Sequence, residues 1–405
     1  MKTDAKRVVV TGLGLITSIG AGKDIFWQNL INGKSGISKV ESFDTSGHFT
    51  HMGGEIKDFD AAEFVGRKKI KLMARASHLA IAAAKLAVKD AGIAPGELKN
   101  MRVSVCMGTT GGESQDIEEI DSVWTRQGRE QVKDLSIMRY PVNNISANVA
   151  IELKLKNSNR MFTTACAAGN YAIGYGFDLL RLGKADLVLA GGSDAFSYLS
   201  FTGFNQVGAV APEKCQPFDK NRKGMLVGEG SAVLVLERLD TALKRGAVIY
   251  AEILGYGLSC DAHHMTNPHA DGVAHCLRNA LQEANITADE VGYISAHGTG
   301  TRHNDRTECE AINRVFSGRK VPTSSIKSML GHTMGAASGI EAITCCLAVK
   351  NGMVPPTINF ETADPECEID CVPNKARRLD VNIALNNGFA FGGNNSCLVL
   401  KKFKQ

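Results

Sequence analysis

The sequence predicts an α/β protein built from a duplicated unit, and three observations carry that expectation. Continuous apolar runs of strand length alternate with segments of helical periodicity. The segment AspAlaGlyIleAlaProGlyGluLeu (90–98), a strand and GlyThrThrGlyGly (108–112) are echoed by GluAlaAsnIleThrAlaAspGluVal (283–291), a strand and GlyThrGlyThr (298–301). Likewise AlaAlaGlyAsnTyrAlaIle (167–173) is echoed by AlaAlaSerGlyIleGluAlaIle (336–343), and each precedes a helix and an apolar strand-like segment. A doubled α/β unit accounts for both echoes, with halves at 1–249 and 250–405 and chemistry assembled where the copies meet.

The elements follow in order. ValValValThr (8–11) with the GlyLeuGly after it reads as a buried strand ending in a tight turn. Leu79, Ala82, Ala83, Leu86 and Ala87 stripe one face of a helix that stops at Gly92. ArgValSerValCysMetGly (102–108) is the next strand. From Asn170, the residues Ile173, Phe177 and Leu180 stripe a helix closed by Gly183, which feeds the strand LeuValLeuAlaGlyGly (187–192). Apolar strands without alternation indicate largely parallel sheets covered on both faces. No low-complexity linker separates the halves, so they are expected to dock tightly.

Totals narrow the function classes. The 405 residues are 44% hydrophobic and 22% charged, as in a globular protein with a sizeable core. A net charge of +4, dispersed along the chain, argues against nucleic acid as partner. ArgLysLysIleLys (67–71) is the local exception, either a solvated helix face or a surface for an acidic partner. Eleven cysteines show no repeating spacing, CysCys at 345–346 lies in an apolar run, and Cys367 and Cys371 lack neighbouring histidines. Neither a disulfide framework nor a metal cage is indicated, which favours a reducing cytoplasm. The first twenty residues imitate a signal peptide, but Asp4 precedes the apolar run, Thr and Gly break it, and no small-residue cleavage site follows. No run approaches the ~18 apolar residues of a membrane span.

Cys166, within ThrThrAlaCysAlaAlaGlyAsn (163–170), is the candidate reagent. Small neighbours would let the backbone approach a substrate, and a helix starting at or just after the cysteine would favour thiolate. That effect is bounded: a helix terminus contributes roughly 0.3–1 kcal/mol, at best ~2, or about one pKa unit. Further activation requires an imidazole. His297 opens HisGlyThrGlyThr just after a strand, and His332 ends SerIleLysSerMetLeuGlyHis (325–332) just before the echoed helix. Both sit in glycine-rich turns at topologically matching positions of the second half. His263, His264, His269 and His275, in a polar loop and the helix after it, receive no role.

Taken as a set, ThrAlaCysAlaAlaGly, ArgLysGlyMetLeuValGlyGluGly (222–230), AspAlaHisHisMetThr, HisGlyThrGlyThr, LysSerMetLeuGlyHis, ValProProThrIleAsn (354–359) and GlyPheAlaPheGlyGlyAsnAsn (388–395) span essentially the whole chain. The sequence resembles an elongating β-ketoacyl-acyl carrier protein synthase of the thiolase superfamily, closest to the KAS II type. The resemblance implies a thiolase-like fold, two α/β units in a layered α-β-α-β-α core. It implies that Cys166 takes an acyl chain from a carrier-protein thioester, and that His297 and His332 drive decarboxylation of malonyl-carrier protein and stabilise the enolate. It further implies an oxyanion hole at the N–H groups of Cys166 and Phe391, Phe391 as a gate, and Lys327 with Glu341 ordering the network. Thr299 and Thr301 would bind the pantetheine arm, and Arg67, Lys68, Lys69 and Lys71 would dock the acidic carrier protein. No cofactor or metal belongs to the enzyme itself, since substrates arrive on the phosphopantetheine of the carrier. The partner would be a second copy or a homologous chain-length-factor subunit.

Three departures from the family pattern point toward a specialised polyketide or polyene enzyme beside fatty-acid elongation. ArgHisAsnAspArgThrGlu (302–308) stands where fatty-acid members show Pro and small residues, and resembles type II polyketide ketosynthases. GlyGlyAsnAsn replaces GlyGlyThrAsn, and Thr110 stands where a larger residue limits pocket depth. Rival readings are weaker. ThrGlyLeuGlyLeuIleThr lacks the last glycine of a dinucleotide motif, and GlyLysSer (33–35) lacks the upstream glycine of a P-loop because Gln28 is there. A coenzyme A-dependent thiolase would need a late Cys-x-Gly, but LeuVal follows Cys397. An initiating synthase would carry Asn in place of His332, and a non-catalytic partner subunit would lack Cys166.

Overall fold

The computed structural model describes residues 6–94 and 96–404, so Asp4 of the leader-like segment and Pro95 of the first echo lie outside the described residues. Ten strands run in one continuous sheet path: Thr323–Ser324, Tyr293–Ser295, Ile383–Ala390, Asn394–Lys401, Ala251–Cys260, Val8–Thr17, Gly230–Arg238, Leu187–Asp194, Val103–Gly108 and Asn159–Phe162. Numbered by sequence within each half, both halves have the order 3-2-4-5-1, and the two first strands pair antiparallel over Val8–Val10. The duplication legible in two sequence echoes is therefore a duplication of topology.

The sheets are mixed, which corrects the expectation of largely parallel pairing. Strands 3, 2 and 4 of each half are parallel, whereas 4, 5 and 1 alternate in direction. In the second half the cause is connection length: Ile383–Ala390 returns as Asn394–Lys401 after three residues, too few for a parallel crossover.

Helices Ala168–Arg181 and Ala337–Asn351 pack on each other between the two five-stranded leaves, while Arg75–Asp90 covers one outer face and Ala270–Glu283 with Arg302–Val315 the other. This is the layered α-β-α-β-α arrangement. Residues Ala337 to Val349 are buried without exception, so this helix is enclosed on every side, and the adjacent cysteines at 345 and 346 are core filler.

GlyLeuGly is no turn. The strand runs through it to Thr17, with a bulge between Val10 and Gly12. A Cβ on Gly12 would lie 2.3 Å from the Ala87 carbonyl oxygen, and one on Gly14 would lie 2.0 Å from that of Ala83. In the second half Gly257 holds the matching place, 2.3 Å from the Cys276 carbonyl oxygen. The glycines let each outer helix rest directly on the first strand of its half. Among the described residues no helix is long and apolar enough to cross a membrane.

Gly14→Ala is expected to destabilise the fold by roughly 3 kcal/mol, because the new methyl meets backbone and cannot be accommodated by rotation. Equilibrium urea unfolding measures it, and an unchanged midpoint would contradict the packing described.

Candidate active site

The first-half contribution begins where strand Asn159–Phe162 ends. Ala165 adopts φ 48°, a left-handed conformation uncommon for a residue with a side chain, and Cys166 follows in the 3-10 turn Ala165–Ala167 that opens the Ala168–Arg181 helix. Met334, at φ 52°, occupies the matching position in the turn Met334–Ala336 before Ala337–Asn351. The counterpart of Cys166 is therefore Gly335, and only one of the two elbows presents a thiol.

The bare surroundings of the cysteine serve chain packing. A Cβ on Gly108 would lie 2.4 Å from the Ala168 carbonyl carbon, one on Gly169 2.6 Å from Gly339 N, and one on Gly192 2.4 Å from Gly335 O. Small residues let the two elbows and their helices meet backbone to backbone. Asn170 fixes the crossing, donating to Asn386 O at 3.0 Å and accepting from the Asn386 amide at 2.8 Å.

His297 follows the strand Tyr293–Ser295, and its turn is held by Glu308, whose carboxylate accepts the N–H groups of His297 and Gly298 at 2.9 and 2.8 Å. His332 is fixed differently. Its Nδ1 accepts the Met334 N–H at 3.1 Å, which makes the neutral ring an Nε2–H donor, and Nε2 is buried without a partner. The Cys166 Sγ and one nitrogen from each imidazole lie within 4.8 Å of one another, and the ring centroids are 5.4 Å apart at 78°. All three residues are buried and line one cavity of about 450 Å³.

Electrostatics decide the resting state. Burial pushes both imidazoles well below their ordinary value, and the Lys327 ammonium pushes in the same direction, so they are neutral near pH 7. Burial lifts the Cys166 thiol to about 12, against the weaker pull of Lys327. This corrects the expectation of a partly ionised thiol: a helix N-terminus returns only ~1 kcal/mol, and desolvation outweighs it. Lys327 is itself buried in an ion pair with Glu341, whose carboxyl burial raises to about 7. One thiol and two imidazoles could also ligate a soft divalent ion, but the neighbouring ammonium opposes a second cation there.

Thr299 and Thr301 line the same cavity, their hydroxyls 2.8 Å apart. Phe391 lies at its mouth, 41% exposed, its ring 6.0 Å from that of Phe204 and followed by Gly392 and Gly393 at φ 82° and 75°. Each of Cys166 and Phe391 stands in the first turn of a 3-10 segment, where N–H groups lack intrahelical partners. Thr110 does not line the cavity; Asp194 holds its N–H, and its hydroxyl is buried without a partner. Arg67, Lys68, Lys69 and Lys71 lie on and just after the short helix Arg67–Ile70, outside the cavity, and Lys69 is engaged with Glu152. The cluster is thus a surface apart from the reacting atoms.

Several residues of the site escaped the sequence reading. Asp194 accepts from Thr109 Oγ1 and from the N–H groups of Thr110, Gly111 and Gly335 at 2.7–2.8 Å, tying the first half to the elbow of the second. Burial raises it to about 6. Glu308 lies eleven residues beyond His297, at the end of ArgHisAsnAspArgThrGlu, where it received no role. His264 and Met265, from the unassigned histidine loop, line the cavity.

Two family models match the chain: the N-terminal domain of β-ketoacyl synthases over residues 5–242 and their C-terminal domain over 250–361. The chain is similar to 3-oxoacyl-[acyl-carrier-protein] synthase 2 of Synechocystis, 41% identical over 99% of both chains. It is 37% identical to the Staphylococcus aureus protein of the same name over 98% of this chain and 99% of that one. Among solved structures it resembles the ishigamide ketosynthase/chain length factor at 44% identity and TM-score 0.97, covering 99% of this chain and 100% of that one. A type II polyketide ketosynthase in complex with its acyl-carrier protein aligns at 33% identity and TM-score 0.90, covering 99% and 100% of the two chains.

With its thiol near 12, Cys166 in the free protein is expected to be alkylated by iodoacetamide at a rate that climbs with each step in pH through 9 and 10. Peptide-level mass spectrometry follows it apart from the other cysteines. A plateau beginning near pH 8 would contradict a resting thiol.

Proposed function

The chain belongs to the β-ketoacyl synthase family, and on that premise we propose that it catalyses a decarboxylating Claisen condensation between an acyl group held on Cys166 and malonyl-acyl carrier protein. The observation that carries the proposal is one thiol and two neutral imidazoles lining a single buried cavity.

In the first step the Cys166 sulfur attacks the acyl thioester, a new C–S bond forms, and the carrier leaves as its thiol. A sulfur near 12 must lose its proton as it attacks; an adjacent imidazole is the acceptor within reach, and Lys327 eases the charge. The N–H groups of Cys166 and Phe391 take the oxyanion of this step. In the second step malonyl-carrier protein enters, its carboxylate leaves as carbon dioxide, and the electron pair becomes an enolate on the thioester. The Nε2–H of His332, with His297, donates to that oxygen, a task for which neutral imidazoles are suited. The enolate carbon attacks the Cys166 thioester, the C–S bond breaks, and the departing thiolate takes a proton from solvent, because its own left with the carrier thiol in the first step. Lys327 with Glu341 positions the pair of rings, Thr299 and Thr301 bind the pantetheine arm, and Phe391, with two glycines after it, gates the cavity. The reaction itself asks for no resident cofactor or metal.

The carrier protein and a homologous subunit are the partners we assign. Among the described residues strand Asn159–Phe162 ends its sheet with an unpaired edge, and Trp124, Ile137 and Met138 are exposed, so a second subunit has both backbone and apolar surface to meet. Relatives described as a ketosynthase/chain length factor and as a ketosynthase with its carrier support both assignments. Arg67, Lys68, Lys69 and Lys71 are read as an outer contact for the carrier, Thr110 as a determinant of pocket depth, and the halves divide at 1–249 and 250–405. The pathway is polyketide or polyene assembly, or fatty-acid elongation, in the cytoplasm, where eleven free cysteines remain reduced. A thiolase is disfavoured because Cys397 is buried in the Asn394–Lys401 strand rather than in the cavity.

After incubation with acyl-carrier protein, intact-protein mass spectrometry is expected to show an acyl adduct on the native chain and none on Cys166→Ala. His332→Ala is expected to acylate but to release carbon dioxide from malonyl-carrier protein at least 100-fold more slowly. Equal loss of both half-reactions would contradict the division of roles.

A further inference from the structure

The histidine loop, which the catalytic cycle leaves without a role, holds two imidazoles against each other. The rings of His263 and His269 have centroids 4.9 Å apart and planes tilted by 52°. His263 is exposed and His269 half-buried, and among the described residues neither ring makes a hydrogen bond. Two imidazoles bound to one ion through nitrogens about 2.1 Å from it would have centroids roughly 4.6 Å apart at a right angle and about 5.3 Å at the tetrahedral angle. The observed spacing lies between these. His269 Nδ1 is 3.8 Å from Asp271 Oδ2, so a carboxylate stands where it can orient that ring and leave Nε2 to an ion. Asp271, with Asp261 on the His269 N–H, also offsets the positive start of the Ala270–Glu283 helix, which would otherwise oppose a cation.

The pair brackets a segment that touches the gate. Asp261 Oδ2 accepts the His269 N–H at 3.0 Å and Oδ1 accepts from the Asn395 amide at 2.6 Å, which closes the loop and ties it to the Asn394–Lys401 strand. Between the two histidines, the Met265 carbonyl accepts the Gly392 N–H at 2.7 Å, and the Asp261 N–H donates to the Gly393 carbonyl at 3.0 Å. Those glycines follow Phe391 directly, and Met265 itself lines the cavity. An ion joining His263 to His269 would close a ring around Met265 and stiffen the segment that holds the gate. Imidazole ligands suit zinc, copper and nickel among the divalent ions. Resting on the reading of Phe391 as a gate, we propose that His263 and His269 bind zinc, with water completing its coordination. The bound ion slows passage of the acyl group to Cys166 by holding residues 261–269 against 391–393. This site is distinct from the reacting atoms, where Lys327 opposes a second cation.

The test titrates zinc chloride calorimetrically into the full-length enzyme, in buffer free of thiols and chelators. Micromolar binding is expected for the native chain, with a dissociation constant raised about tenfold or more in His263→Ala and in His269→Ala. Cys260→Ser and His275→Ala, which remove the exposed thiol beside the loop and an exposed imidazole beyond it, are expected to bind zinc as the native chain does. Saturating zinc is expected to slow acylation of Cys166 from acyl-carrier protein about tenfold in the native chain, and in neither histidine variant. An absence of zinc binding, or binding that survives both histidine substitutions, overturns the site. So does its loss in Cys260→Ser, which would make the thiol the ligand. Zinc bound at the pair with an unchanged acylation rate overturns the control of the gate. A native chain that takes no acyl group removes the condensation reading, and the titration still decides the metal site.

Discussion

Lys327 is buried with its ammonium against Glu341, and its charge reaches three groups of the site at once. It adds to burial in keeping His297 and His332 deprotonated, and it works against burial in drawing the Cys166 thiol down. A low-dielectric cavity magnifies each of these effects. The same burial makes the ion pair costly to break, because either partner alone would be an uncompensated charge. What emerges is a site that rests uncharged at its reacting atoms while a fixed cation waits nearby for the negative charge that chemistry creates. Neutral rings that donate N–H bonds then need no reorganisation when an enolate forms.

That electrostatic arrangement is possible only because two copies of one α/β unit meet closely. Gly169 against Gly339, and Gly192 against Gly335, permit approaches that a methyl group would forbid. Asp194 and the Asn170–Asn386 amide pair then lock the crossing with bonds from one half to the other. The copies diverged in what their elbows carry. The first presents a sulfur, the second a glycine at the same point, and the imidazoles come from loops of the second half. Duplication supplied the frame, and asymmetry supplied the chemistry.

Much of this was legible in the sequence. The echoed segments located the two helix starts, and HisGlyThrGlyThr and LysSerMetLeuGlyHis located the imidazoles, because glycine-rich turns leave recognisable punctuation. The misreadings share a cause. GlyLeuGly carries the composition of a turn, yet its glycines answer to a helix lying across the strand, a contact distant in sequence. Strand direction likewise depends on which strand neighbours which, and an apolar run looks the same in either orientation. The thiol was judged from its helix alone, whereas its protonation is set by desolvation that only the assembled cavity defines. Asp194 and Glu308 act through backbone N–H groups of remote turns, and no local pattern announces such a role.

The direct test of the central claim is a ring-nitrogen NMR titration of His297 and His332 in protein labelled with nitrogen-15 at histidine, assigned by single substitution. Both rings are expected to remain neutral from pH 8 down to about 5.5, with His332 as the Nε2–H tautomer, since burial and Lys327 both depress them. An imidazolium forming with a midpoint near 6.5 on either ring would contradict the account.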